Sequence, residues 1–321
     1  MNILKIGLSV ALSLSAIAPA WSADNYPSRS VRLIVPFPAG STTDTMARFL
    51  SEQVGSELGQ PLVVENKAGA QGSIAAAEVS RARPDGYTLL VGTNSTQSAN
   101  VHLFKKLPYD PVKDFTAITQ FTMNPLVLVV RPDLPVKDLG EFLEYAKAHP
   151  GTLNYGVGNT GSLAAVQMMK GMTGIEAMDI QYSGTPQAIT DLIAGRLDFM
   201  ITDISVTRPY IETGKLRALA VTPLKPTEAL PDVPTFDTSG LKGYEFVAWG
   251  GLFAPAGTDP AIVAKINKAF TKALNSPEAA AFLGKQGLEP APRTPEDFTG
   301  YVAAQTIMWG KLLADAGQPK K

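Results

Sequence analysis

Cysteine is absent from this sequence, and histidine occurs only twice in its 321 residues. Without cysteine the chain can form neither a disulfide nor a reactive thiolate, and it cannot be anchored as a lipoprotein. Two histidines also provide too few soft ligands for a typical structural zinc site, and no His-x-x-x-His or Glu-x-x-His pairing occurs. We therefore expect neither a metal ion nor a cofactor.

An excess of charge of either sign is also missing. The 28 Lys and Arg residues nearly balance the 29 Asp and Glu residues, and the formal net charge is −1. This balance argues against nucleic acid or an anionic membrane as the main partner. Hydrophobic residues make up 45% of the chain, as in an ordinary globular protein, so any attraction for an anion must be local.

The N-terminus has the pattern of a secretory signal peptide. Met1–Lys5 is a short basic start, and Ile6–Ala18 is an apolar run well short of the ~20 residues that span a bilayer. Small residues follow, which predicts a signal peptide over residues 1–22 with cleavage near Ser22 or Ala23. The processed protein is then expected in the periplasm. Its 299 residues are enough for two domains with substantial cores.

Strand and helix signals alternate from residue 31 onward, which predicts an α/β protein with mainly parallel sheets covered on both faces. The extended segment Phe246–Phe253 is interpreted as chain that returns to the first domain, and two late helices, Pro260–Leu274 and Pro295–Leu313, are expected to follow it. We predict a second domain, residues 125–246, inserted into a discontinuous first domain, residues 23–124 plus 247–321. Two crossing strands would form a hinge, and a cleft between domains is a usual place for small ligands.

Two loops of this chain share one design. A short strand runs into small and hydroxyl residues, and these open directly into a helix, once at Phe37–Asp44 and again at Gly156–Ser162. A helix start presents unpaired backbone N–H groups and the positive end of the helix dipole, and small side chains let a ligand approach closely. Neither loop contains Lys or Arg. If the loops face each other across a cleft, they form a clamp for a small carboxylate.

The candidate ligand-binding residues are the small and polar positions of these two loops and of three neighbouring strand ends. No catalytic residue and no metal ligand is predicted. The candidates are Ala39, Gly40, Ser41, Thr42, Asp44, Asn94, Ser95, Val157, Gly158, Asn159, Thr160, Gly161, Ser162, Tyr182, Gly184 and Asp203.

Several of these residues have a second interpretation. The hydroxyl residues of the first loop are preferred helix caps whatever their function, and we expect capping and binding together. Asp44 would repel a bound carboxylate, so it is interpreted as a first-turn acid that complements the helix dipole or supports the loop. Asn94 and Ser95 either border the ligand or form a polar turn. Tyr182 is a wall of the pocket or a core residue, and Asp203 is a turn residue or a partner for an ammonium or hydroxyl group of the ligand.

The second loop also matches a dinucleotide-binding fingerprint, Gly156-x-Gly158-x-x-Gly161, with Asp179 about twenty residues from it as the fingerprint requires. The preceding strand is short and polar, the motif lies deep in the chain, and an exported protein leaves the cytosolic cofactor pool. We therefore interpret the match as a coincidence that preserves only the geometry of a glycine-rich helix start.

Five segments, in this order, resemble the Bug receptors, the periplasmic solute-binding proteins of tripartite tricarboxylate transporters. The resemblance extends over nearly the whole chain after the signal peptide. It implies a two-domain flytrap fold that delivers a small carboxylate to a membrane permease, with both loops holding carboxylate groups partly through ordered water. The segments are Tyr26–Gly40, Val64–Ala70, Pro84–Leu90, Gly214–Thr222 and Leu230–Thr235.

The chain departs from this family at one place. Many relatives have a run of glycines after the first Pro-x-Gly, whereas Ser41 and Thr42 fill those positions here. Two hydroxyls add hydrogen-bond donors and narrow the pocket, so the identity of the ligand cannot be carried over from a relative.

The expected function is a non-enzymatic, monomeric receptor that closes on a dicarboxylate, an aromatic carboxylate or an amino acid. One alternative is a receptor that signals to a two-component system instead of a permease. Another is a secreted serine hydrolase. The hydrolase lacks support because no Gly-x-Ser-x-Gly motif occurs and only His102 or His149 could serve as the base.

Overall fold

The computed structural model describes residues 25–315 and 320. The predicted signal peptide, residues 1–22, and its cleavage site near Ser22 or Ala23 lie outside the described residues. In the part of the chain that is described, no helix is both long enough and apolar enough to cross a membrane.

Strands and helices alternate along the chain. The strands are β1 (Val31–Val35), β2 (Leu62–Asn66), β3 (Thr88–Thr93), β4 (Phe115–Val130), β5 (Leu153–Val157), β6 (Ala177–Gln181), β7 (Phe199–Asp203), β8 (Arg217–Val221), β9 (Val247–Pro255) and β10 (Glu289–Pro290). The helices are α1 (Thr42–Leu58), α2 (Ser73–Ser80), α3 (Asn100–Leu103), α4 (Leu139–Ala148), α5 (Thr160–Thr173), α6 (Thr185–Ile193), α7 (Ile204–Glu212), α8 (Pro260–Leu274), α9 (Pro277–Gln286) and α10 (Pro295–Asp315). A 3-10 turn, Ala70–Gly72, precedes α2, and a π-helical turn, Ser95–Ala99, precedes α3.

The first lobe is the sheet β2-β1-β3-β9-β4 with its covering helices, and β10 pairs with the middle of β4. Strand β1 is parallel to β2 and β3, but β9 is antiparallel to both β3 and β4. The expectation of a mainly parallel sheet is therefore wrong at the centre of this lobe. The antiparallel pairs arise because β4 and β9 are the two strands that pass between the lobes in opposite directions.

The second lobe is the sheet β6-β5-β7-β4-β8 with its helices. Strand β4 belongs to both sheets, because Phe115–Pro125 pair with β9 while Leu126–Val130 pair with β7 and β8. Strand β9 begins at Val247, opposite Pro125. The chain thus passes between the lobes at two adjacent points. The domain limits at residues 124/125 and 246/247 stay a prediction.

Helix α10 lies against both lobes. Near its start, Phe298 is fully buried and packs edge-on against Trp249 of β9. Near its end, Trp309 packs edge-on against Phe246 and lies in the same apolar cluster as Leu128 and Phe142 of the second lobe. This helix therefore packs against both lobes beside the crossing strands.

Several elements differ from the sequence-based prediction. Helix α9 was not predicted, although Ser276 caps it and Gly287 ends it in the left-handed conformation. Ser95, for which a polar turn was one interpretation, instead begins a helical segment that continues to Leu103. Strand β4 begins at Phe115, eleven residues before its continuous apolar run, Leu126–Val130. The residues before that run include buried polar side chains, so hydrophobic runs alone do not reveal this part of the strand.

Candidate functional site

A small cavity lies between the lobes, where the two predicted loops meet. The volume that the centre of a water molecule can occupy in this cavity is about 30 Å³, which is room for very few waters. The two lobes are therefore closed on each other. Both loops contribute to the wall of the cavity, as do the strand ends of both sheets. The cavity is lined by Phe37, Ser41, Thr42, Thr43, Thr93, Asn94, Ser95, Asn124, Asn159, Thr185, Asp203, Ala248 and Trp249.

The first loop brings the start of α1 to the cavity. The Ser41 hydroxyl caps the helix by accepting from the Asp44 N–H at 3.3 Å. The N–H groups of Thr42 and Thr43 lie in the first turn and have no partner within the helix. Ala39 and Gly40, also candidates, are exposed at the tip of the loop and do not line the cavity.

Asp44 supports this loop from behind. Its carboxylate accepts from the Gly40 N–H at 2.9 Å, from Arg48 Nε at 3.0 Å and from Asn66 Nδ2 at 2.9 Å. Burial alone would raise the pKa of Asp44, but these hydrogen bonds outweigh it and hold the pKa below its usual value. The carboxylate is thus fully engaged and lies outside the cavity lining, as the supporting interpretation expects.

The second loop brings the start of α5 to the same cavity. Asn159 caps the helix by accepting from the Ser162 N–H at 2.9 Å, and its amide faces the cavity. The Thr160 hydroxyl lies 2.6 Å from the hydroxyl of Ser95 in the first lobe. Val157 is buried in the second-lobe core, away from the cavity.

The glycines of this loop permit close packing. A side chain on Gly158 would put a Cβ atom 2.5 Å from the backbone nitrogen of Thr185. One on Gly161 would lie 3.0 Å from Asn159 Oδ1 of the same loop. These contacts account for the Gly-x-x-Gly spacing without a dinucleotide.

A third helix start, that of α6, also reaches the cavity through Thr185. Gly184 precedes it and faces the first loop so closely that an added Cβ would lie 2.5 Å from Pro38 Cδ. Tyr182 turns away, since its ring packs on the second-lobe core and its hydroxyl donates to Asp191 at 2.7 Å. This position fits the interpretation of Tyr182 as a residue that packs on the core, and not as a wall of the pocket.

Asp203 ends β7 and lines the cavity. Its carboxylate is buried and accepts a long hydrogen bond of 3.4 Å from Asn159 Nδ2. Burial raises the pKa of Asp203 to about 6, because the hydrogen bonds from Asn159 and from the backbone N–H of Asp203 itself offset only part of the desolvation. The carboxylate does not cap α7.

Asn94 and Ser95 lie in the cavity wall, but in the first turn of a helical segment rather than in a loop. The Asn94 amide lies 3.5 Å from the Thr160 hydroxyl, and its carbonyl accepts from the Trp249 N–H at 3.4 Å. Both residues therefore join the two lobes as well as line the cavity.

Seven lining residues were not among the candidates: Phe37, Thr43, Thr93, Asn124, Thr185, Ala248 and Trp249. Thr43 lies within the first predicted loop and Thr185 directly follows the candidate Gly184, so their selection needed only the correct face of each turn. Asn124 and Ala248 lie on the crossing strands, and no local pattern marks them because their exposure to the cavity depends on how the lobes meet.

The wall is neutral except for Asp203. Among the described residues, no Lys or Arg lines the cavity. The two histidines bind backbone carbonyl groups elsewhere, His102 that of Thr306 and His149 that of Tyr145, each at 2.9 Å. The described residues also contain no group of three or more His, Asp or Glu side chains arranged to hold a metal ion. What the site offers an anion is a set of backbone N–H groups, amides and hydroxyls.

Comparison with known families gives a match over most of the chain. The model of the tripartite tricarboxylate transporter family receptor matches residues 46–318.

Solved structures agree in fold over nearly the full length. The periplasmic binding protein BugD is 35% identical with a TM-score of 0.87, over 92% of this chain and 100% of BugD. A protein of R. palustris solved with adipate is 34% identical with a TM-score of 0.89, over 91% of this chain and 98% of that one. MatC from Rhodopseudomonas palustris, with bound malate, is 36% identical with a TM-score of 0.85, over 90% of this chain and 100% of MatC. The two-domain flytrap fold is thereby confirmed.

Proposed function

The chain belongs to the tripartite tricarboxylate transporter receptor family, and on that premise we propose that it is a periplasmic receptor that captures a small organic carboxylate between its lobes. It passes this ligand, as a monomer, to a permease of the tripartite tricarboxylate type. Members of this family are receptors and not enzymes, so the serine hydrolase alternative is excluded. The Bug resemblance read from the sequence is confirmed.

The observation that carries the proposal is the convergence of three helix starts on one cavity whose wall, among the described residues, contains no Lys or Arg. The starts of α1, α5 and α6 all border it, through Thr42, Asn159 and Thr185. Each start adds backbone N–H groups and the positive end of a helix dipole. A carboxylate in this position is held by fixed dipoles and does not need a basic side chain.

The binding free energy that these hydrogen bonds provide is sufficient to capture a ligand at low concentration. A hydrogen bond to a charged group contributes roughly 1.5–3 kcal/mol, and micromolar binding requires about 8 kcal/mol net. Five or six donors from the helix starts and from Ser41, Thr42 and Asn159 reach that value after the cost of ordering. Exclusion of water from a closed cleft strengthens each of these bonds.

Relatives with bound acids support the ligand class. One similar structure holds adipate and another holds malate, and both share the fold of this chain. The water-accessible room in the closed cavity is small, so the ligand must enter while the lobes are apart and be enclosed as they close.

Calorimetry on the protein purified from periplasm, then unfolded and refolded to remove co-purified ligand, tests the proposal. The titrants are adipate, malate, succinate, glutamate, benzoate and a neutral sugar. We expect saturable binding of at least one acid with a dissociation constant in the micromolar range or below, and none of the sugar. Indifference to every acid would refute the proposal.

Whether ligand binding leads to transport or to signalling is tested separately in the source organism. Deletion of the gene is expected to abolish uptake of the radiolabelled acid that binds. Normal uptake together with lost induction of a transport or catabolic gene would instead favour the signalling alternative.

A further inference from the structure

We propose that the ligand carries an ammonium group beside its carboxylate, and that Asp203 is the residue that selects it. This inference rests on the proposed function, because it concerns the same cavity. It names the ligand class as an amino acid or a similar zwitterion.

The position of Asp203 is unusual for a turn residue. An Asp at the start of a helix normally caps it by accepting from an N–H of the first turn. The Asp203 carboxylate makes no such bond to α7, while Asn159 and Asp138 cap their own helices in the ordinary way. Asp203 instead lines the cavity, and the residue is only 6% exposed.

No cation in the described part of the protein neutralises this carboxylate. No ion pair includes Asp203, and its side-chain partner, Asn159, is neutral and 3.4 Å away. The basic residues on the surrounding helices are bound to other partners. These are Arg48 of α1 to Asp44, Lys170 of α5 to the Ala177 carbonyl and Arg208 of α7 to Glu212.

The same cavity contains a further acceptor that lacks a partner. The side-chain carbonyl of Asn124 is buried and makes no hydrogen bond within the protein. Asn124 lines the cavity with Asp203. A carboxylate ligand supplies acceptors only and leaves this carbonyl unsatisfied, which is costly in a buried site. An ammonium group supplies three N–H donors.

Charge decides between an ammonium and a hydroxyl group. A hydroxyl can donate one hydrogen bond to Asp203, but it leaves the ligand carboxylate and the Asp203 carboxylate enclosed together without a compensating positive charge. An ammonium pairs with Asp203 and cancels that repulsion. The helix starts then hold the ligand carboxylate, and Asp203 holds its ammonium group.

The test uses sets of acids that differ only in the substituent next to the carboxylate. Each set contains an ammonium, a hydroxyl and a hydrogen member, namely alanine, lactate and propionate; glutamate, 2-hydroxyglutarate and glutarate; and phenylalanine, phenyllactate and phenylpropionate. Calorimetry measures all nine with the refolded wild-type protein and with Asp203→Asn. The Asp191→Asn variant is the control, because it removes a second-lobe carboxylate that does not line the cavity.

In the set that binds best, the ammonium member is expected to bind about tenfold more tightly than the other two, or better. Asp203→Asn should remove most of this preference and strengthen binding of the hydrogen member, whereas Asp191→Asn should change neither. Equal or tighter binding of a hydrogen or hydroxyl member by the wild type would overturn the inference and leave the proposed function intact. If the protein binds only acids that lack an amine and lie outside these sets, the inference is likewise overturned and the proposed function stands. Binding of no acid at all would overturn both.

The wild-type comparison needs no variant, so the inference remains testable if Asp203→Asn does not fold.

Discussion

The hydroxyl of Thr42, at the start of α1, lies 2.6 Å from the hydroxyl of Ser205, in the first turn of α7. This hydrogen bond joins the two lobes at the rim of the cavity, as the contact between Thr160 and Ser95 does deeper inside. Each such bond is worth only about 0.5–1.5 kcal/mol net. Hydrogen bonds of this size allow the closed, unliganded protein to open transiently and admit a ligand, and a ligand that binds both lobes stabilises the closed form further.

Loss of the Thr42–Ser205 contact should weaken ligand binding by favouring the open form. We expect Ser205→Ala to raise the dissociation constant by about fivefold, which corresponds to about 1 kcal/mol. Ser56→Ala is the control, because it removes an exposed hydroxyl that bonds only within α1. Calorimetry measures affinity, and X-ray scattering of the unliganded protein should give a larger radius of gyration for Ser205→Ala alone. Unchanged affinity in Ser205→Ala would show that the contact does not contribute to closure.

A methyl group at the lobe interface should prevent closure more strongly. A Cβ at Gly184 would lie 2.5 Å from Pro38 Cδ, and the backbone of Gly184 is extended, so alanine causes no strain when the lobes are apart. We expect Gly184→Ala to weaken binding by about tenfold or more while the melting temperature of the unliganded protein stays close to wild type.

The control is Gly171→Ala in α5, where nothing lies within 4 Å of the added Cβ. This change should leave affinity unaltered and stabilise the protein by about 0.5–1 kcal/mol, since alanine favours a helix. Tight binding by Gly184→Ala would mean that the bound form is more open than the structure described above.

Two helix caps of identical geometry separate binding from stability. Asn159 caps α5 and Asp138 caps α4, and each accepts from the third residue along at 2.9 Å, but only Asn159 lines the cavity. Replacement of either by alanine should cost about 1 kcal/mol of unfolding free energy in urea. Only Asn159→Ala should also weaken binding, by about tenfold, because it removes a polar group from the ligand site. Equal affinity in the two variants would mean that Asn159 is a cap and nothing more.

Much of the architecture follows from local sequence. The apolar residues of β1, interrupted only by Arg32, and the end of α1 at Gly59, which is left-handed with φ of 71°, both have local causes. The two loops could be paired as one site because both are helix starts without a basic residue, and two such helix starts on separate lobes can hold one carboxylate across a cleft. Strand β9 could be predicted because its apolar residues are continuous.

The remainder depends on contacts between distant parts of the chain. Strand β4 has buried polar residues such as Thr119, whose hydroxyl bonds the backbone of Arg293, 174 residues away. No local pattern predicts that such a segment lies inside a sheet. Which face of a loop meets the cavity is likewise set by lobe closure, so Ala39 and Gly40 were chosen while Asn124 and Thr185 were not. The chemistry of the helix starts could be predicted, but not which of their atoms face inward.

The buried carboxylate of Asp203 should make the unliganded protein less stable at neutral pH than at mildly acidic pH, relative to a variant without it. Its pKa is raised from 3.8 to about 6 by burial, so the folded state binds the proton more tightly than the unfolded state. The stability that protonation provides is complete below pH 3.8 and is lost as the pH rises through 6. By pH 8 the loss is roughly 3 kcal/mol.

Asp203→Asn has no charge to bury at that position. Urea unfolding without ligand should therefore show this variant more stable than wild type at pH 8, with the difference shrinking toward zero between pH 6 and pH 4. Asp44→Asn provides the opposite case, because the pKa of Asp44 is lowered and its carboxylate stabilises the folded state above the ordinary pKa. That variant should be less stable than wild type at pH 8, with the difference again closing in acid. If Asp203→Asn is as destabilised as Asp44→Asn at pH 8, Asp203 has a partner that stabilises its charge, and the ligand no longer needs to bring one.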